Sequence, residues 1–83
     1  MTPFSGKTLM ITGGTGSFGE AVLKRFLDTD IAEIRIFSRD EKKQDDMRHH
    51  YQNDKIKYYI GDVRELSSVK NAIHGVDYLF HCL

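Results

Sequence analysis

Apolar residues arrive along this chain in two alternating rhythms. Short apolar-rich segments stand at residues 9–11, 34–37, 56–60 and 76–82, and helical stripes lie between them. The Leu9-Met10-Ile11 run predicts a strand over residues 7–12, unbroken by polar positions, as in a parallel sheet covered on both faces. Ile34, Ile36 and Phe37 supply β-formers for a second strand over residues 34–37. Ile56–Ile60, rich in Tyr and Ile, reads as a third, and residues 76–82 as a fourth. Between the first two strands, Phe18, Val22 and Phe26 recur at i, i+4 and i+8, with Ala21 and Leu23 beside them. That spacing predicts a helix over Ser17–Leu27 with one buried stripe, ended by Asp28-Thr29-Asp30. Residues 40–51 are charged, but Met47 and Tyr51 lie four apart, which predicts a mostly solvated helix opened by Asp40. Residues 65–74 gather Leu66, Val69, Ala72 and Ile73 on one helical face, and Gly75 follows as a stop.

The order β-α-β-α-β-α-β predicts an α/β fold with a parallel sheet. Right-handed crossovers then restrict the topology. The expected architecture is a Rossmann-like sheet with helices on both faces and strand order 3-2-1-4. The first two helices should lie on one face and the third on the other. The crevice of such a sheet falls between strands one and four, at their carboxyl ends. No repeat, low-complexity segment or linker divides the chain. Its closing run, Tyr78-Leu79-Phe80-His81-Cys82-Leu83, carries no glycine, proline or charged stop and reads as a buried strand. Residues 1–83 are therefore expected to be the N-terminal part of a longer dinucleotide-binding domain.

Charge changes the picture chiefly by exclusion. Twelve basic and twelve acidic side chains leave no net charge, which argues against a nucleic-acid footprint. No apolar run approaches the roughly 20 residues of a membrane span. The opening residues lack the apolar core of a signal peptide. One cysteine, Cys82, cannot form an internal disulfide, which makes a reducing cytoplasm the expected compartment.

The sharpest chemistry lies at residues 12–19, Thr-Gly-Gly-Thr-Gly-Ser-Phe-Gly. Gly14-x-Gly16-x-x-Gly19 overlaps Gly13-x-x-Gly16-x-x-Gly19, between a predicted strand and a predicted helix. Glycines there allow a sharp turn and close backbone approach, and the helix start faces an anion with free N–H groups. A pyrophosphate fits that arrangement. At the end of strand two the chain reads Ser38-Arg39-Asp40-Glu41-Lys42-Lys43. A hydroxyl plus a guanidinium suits a 2′-phosphate, and Lys42 or Lys43 could add charge, which favours NADP over NAD. Asp40 could instead swing back to a ribose hydroxyl. After strand three, Asp62 could accept from an adenine amino group or cap the next helix, and the Val63 backbone could touch the ring. His81 and Cys82 would approach the nicotinamide-side ribose. The adjacent His49 and His50 point to different sides of a helix, and no Cys/His/Asp cluster has metal spacing.

Taken together, four segments resemble a known family: residues 12–19, Ile-Phe-Ser-Arg-Asp-Glu-Lys-Lys-Gln-Asp-Asp-Met-Arg at 36–48, Tyr-Ile-Gly-Asp-Val-Arg at 59–64, and Gly-Val-Asp-Tyr-Leu-Phe-His at 75–81. The chain is similar to the N-terminal part of an extended short-chain dehydrogenase/reductase. More narrowly, it resembles the UDP-N-acetylglucosamine 4,6-dehydratases (inverting) and the CapD-type UDP-glucose or UDP-N-acetylglucosamine 4-epimerases of bacterial surface polysaccharide and glycan synthesis.

The resemblance implies that Thr15, Gly16, Ser17 and Phe18 bind the cofactor pyrophosphate through the turn, to which the glycine spacing adds Gly13 and Gly19. It implies that Ser38, Arg39 and Lys43 hold the adenosine phosphate of NADP, with Asp40, Glu41 and Lys42 in the same segment. Asp62 and Val63 would contact adenine. Cys82 and Leu83 depart from the family's His-Ala-Ala-Ala run. The implied chemistry removes a hydride from C4 of a UDP-sugar onto NADP. Dehydratases then eliminate water across C5–C6 and return the hydride to C6, whereas epimerases return it to C4 from the other face. The family's Ser/Thr-Asp-Lys and Tyr-x-x-x-Lys or Met-x-x-x-Lys catalytic segment, and its sugar-binding domain, are expected beyond residue 83. The resemblance also implies a homo-oligomeric parent and no catalytic residue within residues 1–83.

Overall fold

A computed structural model of the chain describes residues 2–13 and 15–82. Gly14 of the glycine turn and Leu83 of the closing run lie outside them. The elements follow the predicted order: β1 (Thr8–Thr12), α1 (Ser17–Leu27), β2 (Glu33–Ser38), α2 (Glu41–Tyr51), β3 (Ile56–Ile60), α3 (Leu66–Ile73) and β4 (Tyr78–His81). All strand pairs are parallel, in the order β3-β2-β1-β4. Thr12 stands level with Phe37 on one side and His81 on the other, so the carboxyl ends of these strands finish together.

The continuous apolar character of β1 reflects burial on two faces. Leu9 and Ile11 join Ile34, Ile36 and Ile56 against Val22 and Leu23 of α1 and Met47 of α2. Met10 and Phe37 point the other way, against Ala72 of α3. The first two helices thus share one face and the third takes the opposite one, as the crossover rule requires. Each fully buried aliphatic chain here is worth about 1.5–3 kcal/mol.

Caps set the boundaries. Asp40 is the N-cap of α2 rather than its first residue, and its carboxylate accepts from Lys43 N–H at 3.0 Å. Glu65 and His74 are likewise caps of α3, not members of it. Gly75 turns the chain after α3 at φ +82°, a conformation suited to glycine. The carbonyls at the end of α3 go to Arg35 of β2. Its guanidinium donates to Ala72 O at 2.7 Å and His74 O at 2.6 Å.

Burial departs from the periodicity in three places. Phe18 heads the predicted α1 stripe yet is 64% exposed. Leu66 and Ile73 of α3 are exposed as well, leaving Ala72 as that helix's buried residue. The closing run, expected to be a buried strand, is exposed along all of β4. One physical reason covers all three. Among the described residues β4 is an edge strand with β1 as its one neighbour, and a helix of eight residues cannot cover the α3 face to that edge. Phe18 lies at the same edge, with its ring 6.0 Å from that of Phe80. The opening segment, which no periodicity marks, packs Phe4 edge-on against Phe26 and Tyr78.

Candidate functional site

The carboxyl ends of all four strands open onto one groove. At its centre Gly13 leaves β1 with φ +67° and donates its N–H to Phe37 O at 2.9 Å. A Cβ at Gly13 would stand 2.6 Å from Cys82 O, and Cys82 N–H donates to Thr12 O at 3.0 Å. The backbones of β1, β2 and β4 are therefore cinched together at a position that only glycine can occupy without strain. The turn closes with Gly16 N–H donating to Gly13 O, and Gly16 becomes the N-cap of α1. No side chain caps that helix start, whereas Asp40 caps α2. The α1 start is thus equipped to satisfy its amides with an anion.

From Gly13 and Cys82 a cleft of about 390 Å³ runs past Ser38 and Arg39 to Asp62 and Val63. A second hollow continues it over Thr15, Asp40 and Glu41. Its width owes much to Gly61, where a Cβ would strike the Phe37 ring at 2.7 Å. Ser38 is buried, and its Oγ accepts from Asp40 N–H at 3.3 Å and from Gln44 Nε2 at 3.1 Å. Arg39 extends into solvent with Nη1 at 3.6 Å from Asp62 Oδ2. Asp62 is gripped by Arg64, whose Nη2 lies at 2.8 Å and whose backbone N–H donates at 2.9 Å. The Arg64 side-chain bonds, then its backbone N–H, pull the Asp62 carboxyl down to about 2, so it faces the groove as a pure acceptor. The carboxylate caps Arg64's turn rather than α3, whose N-cap is Glu65. Burial pushes the Cys82 thiol up.

The structure therefore gathers Gly13, Thr15, Ser38, Arg39, Asp40, Glu41, Asp62, Val63 and Cys82 along one groove. Lys42 turns away to Asp46 at 3.2 Å, and neither it nor Lys43 lines the groove. Phe18 faces the opposite side of the turn, in a separate apolar hollow with Phe80. Thr12 Oγ1 meets Nδ1 of His81, tying the ends of β1 and β4. Gln44 escaped the sequence reading. Its signal was the i, i+3, i+7 stripe it forms with Met47 and Tyr51 inside a charged segment. Among the described residues no group of three or more His, Cys, Asp or Glu could hold a metal ion. No helix among them is long and apolar enough to cross a membrane.

Residues 9–83 match the family model described as "Polysaccharide biosynthesis protein". The chain belongs to this family. A UDP-glucose 4-epimerase of Rickettsia canadensis (strain McKiel) is 67% identical over 94% of this chain and 24% of its own length. The chain thus spans about a quarter of the curated relatives it matches. The X-ray structure of Pen from Bacillus thuringiensis aligns with a TM-score of 0.93 at 34% identity, covering 99% of this chain and 25% of Pen. Bordetella bronchiseptica WbmF, solved in complex with NAD+, shares the fold with a TM-score of 0.76 at 14% identity, over 98% of this chain and 24% of WbmF. The resemblance to nucleotide-sugar enzymes of the short-chain dehydrogenase/reductase type holds, as does the Rossmann-like sheet.

Within this polysaccharide biosynthesis family member, one spacing invites misreading. Tyr51-Gln52-Asn53-Asp54-Lys55 has the Tyr-x-x-x-Lys form. Gln52 takes a left-handed conformation at φ 44° and ends α2, so Tyr51 and Lys55 do not share a helical face. Tyr51 Oη donates to Glu20 Oε2 at 2.7 Å, and Lys55 Nζ donates to Thr29 O. Burial, then the Glu20 bond, push the Tyr51 phenol well above its ordinary value. A catalytic base needs the opposite shift. The pair is structural and lies away from the groove.

Proposed function

We propose that this chain is the dinucleotide-binding part of a nucleotide-sugar 4-epimerase and that it holds NADP. The observation that carries the reading is the groove itself. It runs from an uncapped helix start beside Gly13 past Ser38 and Arg39 to Asp62 and Val63, so one groove offers partners for a diphosphate, an adenosine phosphate and an adenine. When bound, a nicotinamide dinucleotide supplies a reversible hydride acceptor for a sugar carbon. The chain's own residues bind and orient it. Amides at the start of α1 would hold the diphosphate, Asp62 and Val63 would meet adenine, Arg39 would supply a planar cation, and Cys82 would border the nicotinamide side.

The 4-epimerase reading is supported by the name of the relatives at 67% identity. The 4,6-dehydratase acting on UDP-N-acetylglucosamine stands second, because the two activities differ in residues outside this chain. A UDP-sugar substrate, a homo-oligomeric parent and a cytoplasmic setting belong to the same proposal, the last in keeping with free Cys82. Calorimetric titration of the chain with NADP+ and NAD+ tests the binding step. Binding of both with NADP+ tighter is expected, and Gly13→Ala should abolish it. Absence of dinucleotide binding by the unaltered chain overturns the reading. Feeding UDP-glucose and UDP-N-acetylglucosamine to the protein that carries this chain separates a 4-epimer product from a 4-keto-6-deoxy product.

A further inference from the structure

We propose that Gln44 fixes the direction of the Ser38 hydroxyl proton, making Ser38 an obligate donor into the groove that selects a phosphate oxygen over a ribose hydroxyl. The proposal rests on the dinucleotide reading above and adds the residue that enforces its specificity.

Gln44 is 1% exposed in the middle of a charged helix. Its Nε2 lies 2.9 Å from Tyr59 O, 3.1 Å from Ser38 Oγ and 3.4 Å from Ser38 O. Two of these three neighbours are carbonyl oxygens, which only accept. Rotating the amide would set its oxygen against both of them, so the nitrogen must face this cluster. Its two protons go to the nearer pair, Tyr59 O and Ser38 Oγ. The other end of the amide, Oε1, is buried with no partner. The amide is thus held where its donors, not its acceptor, are satisfied.

A serine hydroxyl has two acceptor lone pairs and one proton. Gln44 Nε2 takes one lone pair, and Asp40 N–H, at 3.3 Å, takes the other. The proton remains. No protein acceptor receives it among the described residues, and Ser38 lines both hollows of the groove. Ser38 can therefore give a hydrogen bond to a ligand but cannot receive one. A ribose hydroxyl pair of the NAD type is held by an acceptor that takes its protons. Asp40 in the second hollow spends Oδ1 on Lys43 N–H and keeps Oδ2 as an acceptor, so the donor at Ser38 is what tips the site toward phosphate. A phosphate offers only accepting oxygens, and a donor to an anion makes the stronger bond. Gln44 does not reach the ligand. It acts as a positioning residue through Ser38.

The test titrates NADP+ and NAD+ by calorimetry into the unaltered chain, Ser38→Ala, Gln44→Met and the double variant. Gln44→Met keeps the side-chain length and removes the donor. Ser38→Ala should lower the NADP+ over NAD+ preference by about tenfold, the size of one ordinary hydrogen bond, and Gln44→Met should lower it by a smaller factor, because the hydroxyl stays but its proton is no longer held toward the groove. Gln44→Met should add nothing in the Ser38→Ala background, which a merely structural role would not produce. A lower melting temperature with an unchanged preference in Gln44→Met overturns the proposal. An unchanged preference in Ser38→Ala overturns it too, whether or not Gln44→Met folds. Both results leave the dinucleotide reading standing. Absence of binding of either dinucleotide to the unaltered chain overturns both.

Discussion

Asp62 carries the clearest electrostatic signature in the groove, and its cause is local. Gly61 turns the chain after β3, Arg64 folds back, and the guanidinium fork meets the carboxylate from two residues away. The folded-state value near 2 lies below the ordinary 3.8. A depressed acid favours the folded turn above its ordinary value, and that contribution disappears as pH falls from 3.8 through about 2. A carbon-13 titration of the Asp62 carboxyl should therefore show a midpoint near 2. Arg64→Ala should return it part of the way toward 3.8, leaving the residue-64 backbone N–H and the weaker Arg39 contact behind; a midpoint unmoved by that change would place the cause elsewhere. Asp62 was legible as an acceptor because it follows a glycine at a strand end. Its partner was not, since residues two apart meet only when the backbone bends. Ser38 shows the same limit. Its place at the end of β2 could be read, but the use of both its lone pairs depends on Gln44, six residues away across a helix turn.

At the level of elements, periodicity located every strand and helix, and the errors concern what terminates and covers them. α3 is the instructive case. Its four apolar positions mark one face, and Gly75 marks its end. The group that holds that end is Arg35, 37 residues earlier in the chain, in the strand beneath it. Arg35 also bonds Glu33 and lies over the Tyr59 ring, 5.6 Å from its centroid. Removing it should free the end of α3 while leaving the groove intact. Arg35→Met is expected to cost about 1.5–3 kcal/mol, the range for bonds involving a charged group, seen as a lowered urea midpoint. Amide exchange should accelerate at Val76, whose N–H donates to Ile73 O beside the loosened end.

Across the whole molecule the sheet ends in an exposed apolar edge. Leu79 and Phe80 of β4 and the neighbouring Phe18 are exposed by 53%, 38% and 64%. An uncovered edge strand with apolar side chains invites pairing with another chain. Sedimentation should show the chain self-associating as its concentration rises. Leu79→Lys should keep it monomeric with little change in melting temperature, and association that survives this change would direct attention to a different surface. This edge also separates the two sources of information. The sequence by itself determined the element order, the parallel sheet and the glycine-rich turn between β1 and α1, because hydrophobic period and glycine spacing are local properties of the chain. Tertiary structure alone decided which apolar faces are covered, that Tyr51 and Lys55 do not share a helical face, and that Gln44 meets Ser38. Those outcomes depend on side chains brought together across the sheet, where lone pairs and surface area are shared between residues distant in the chain.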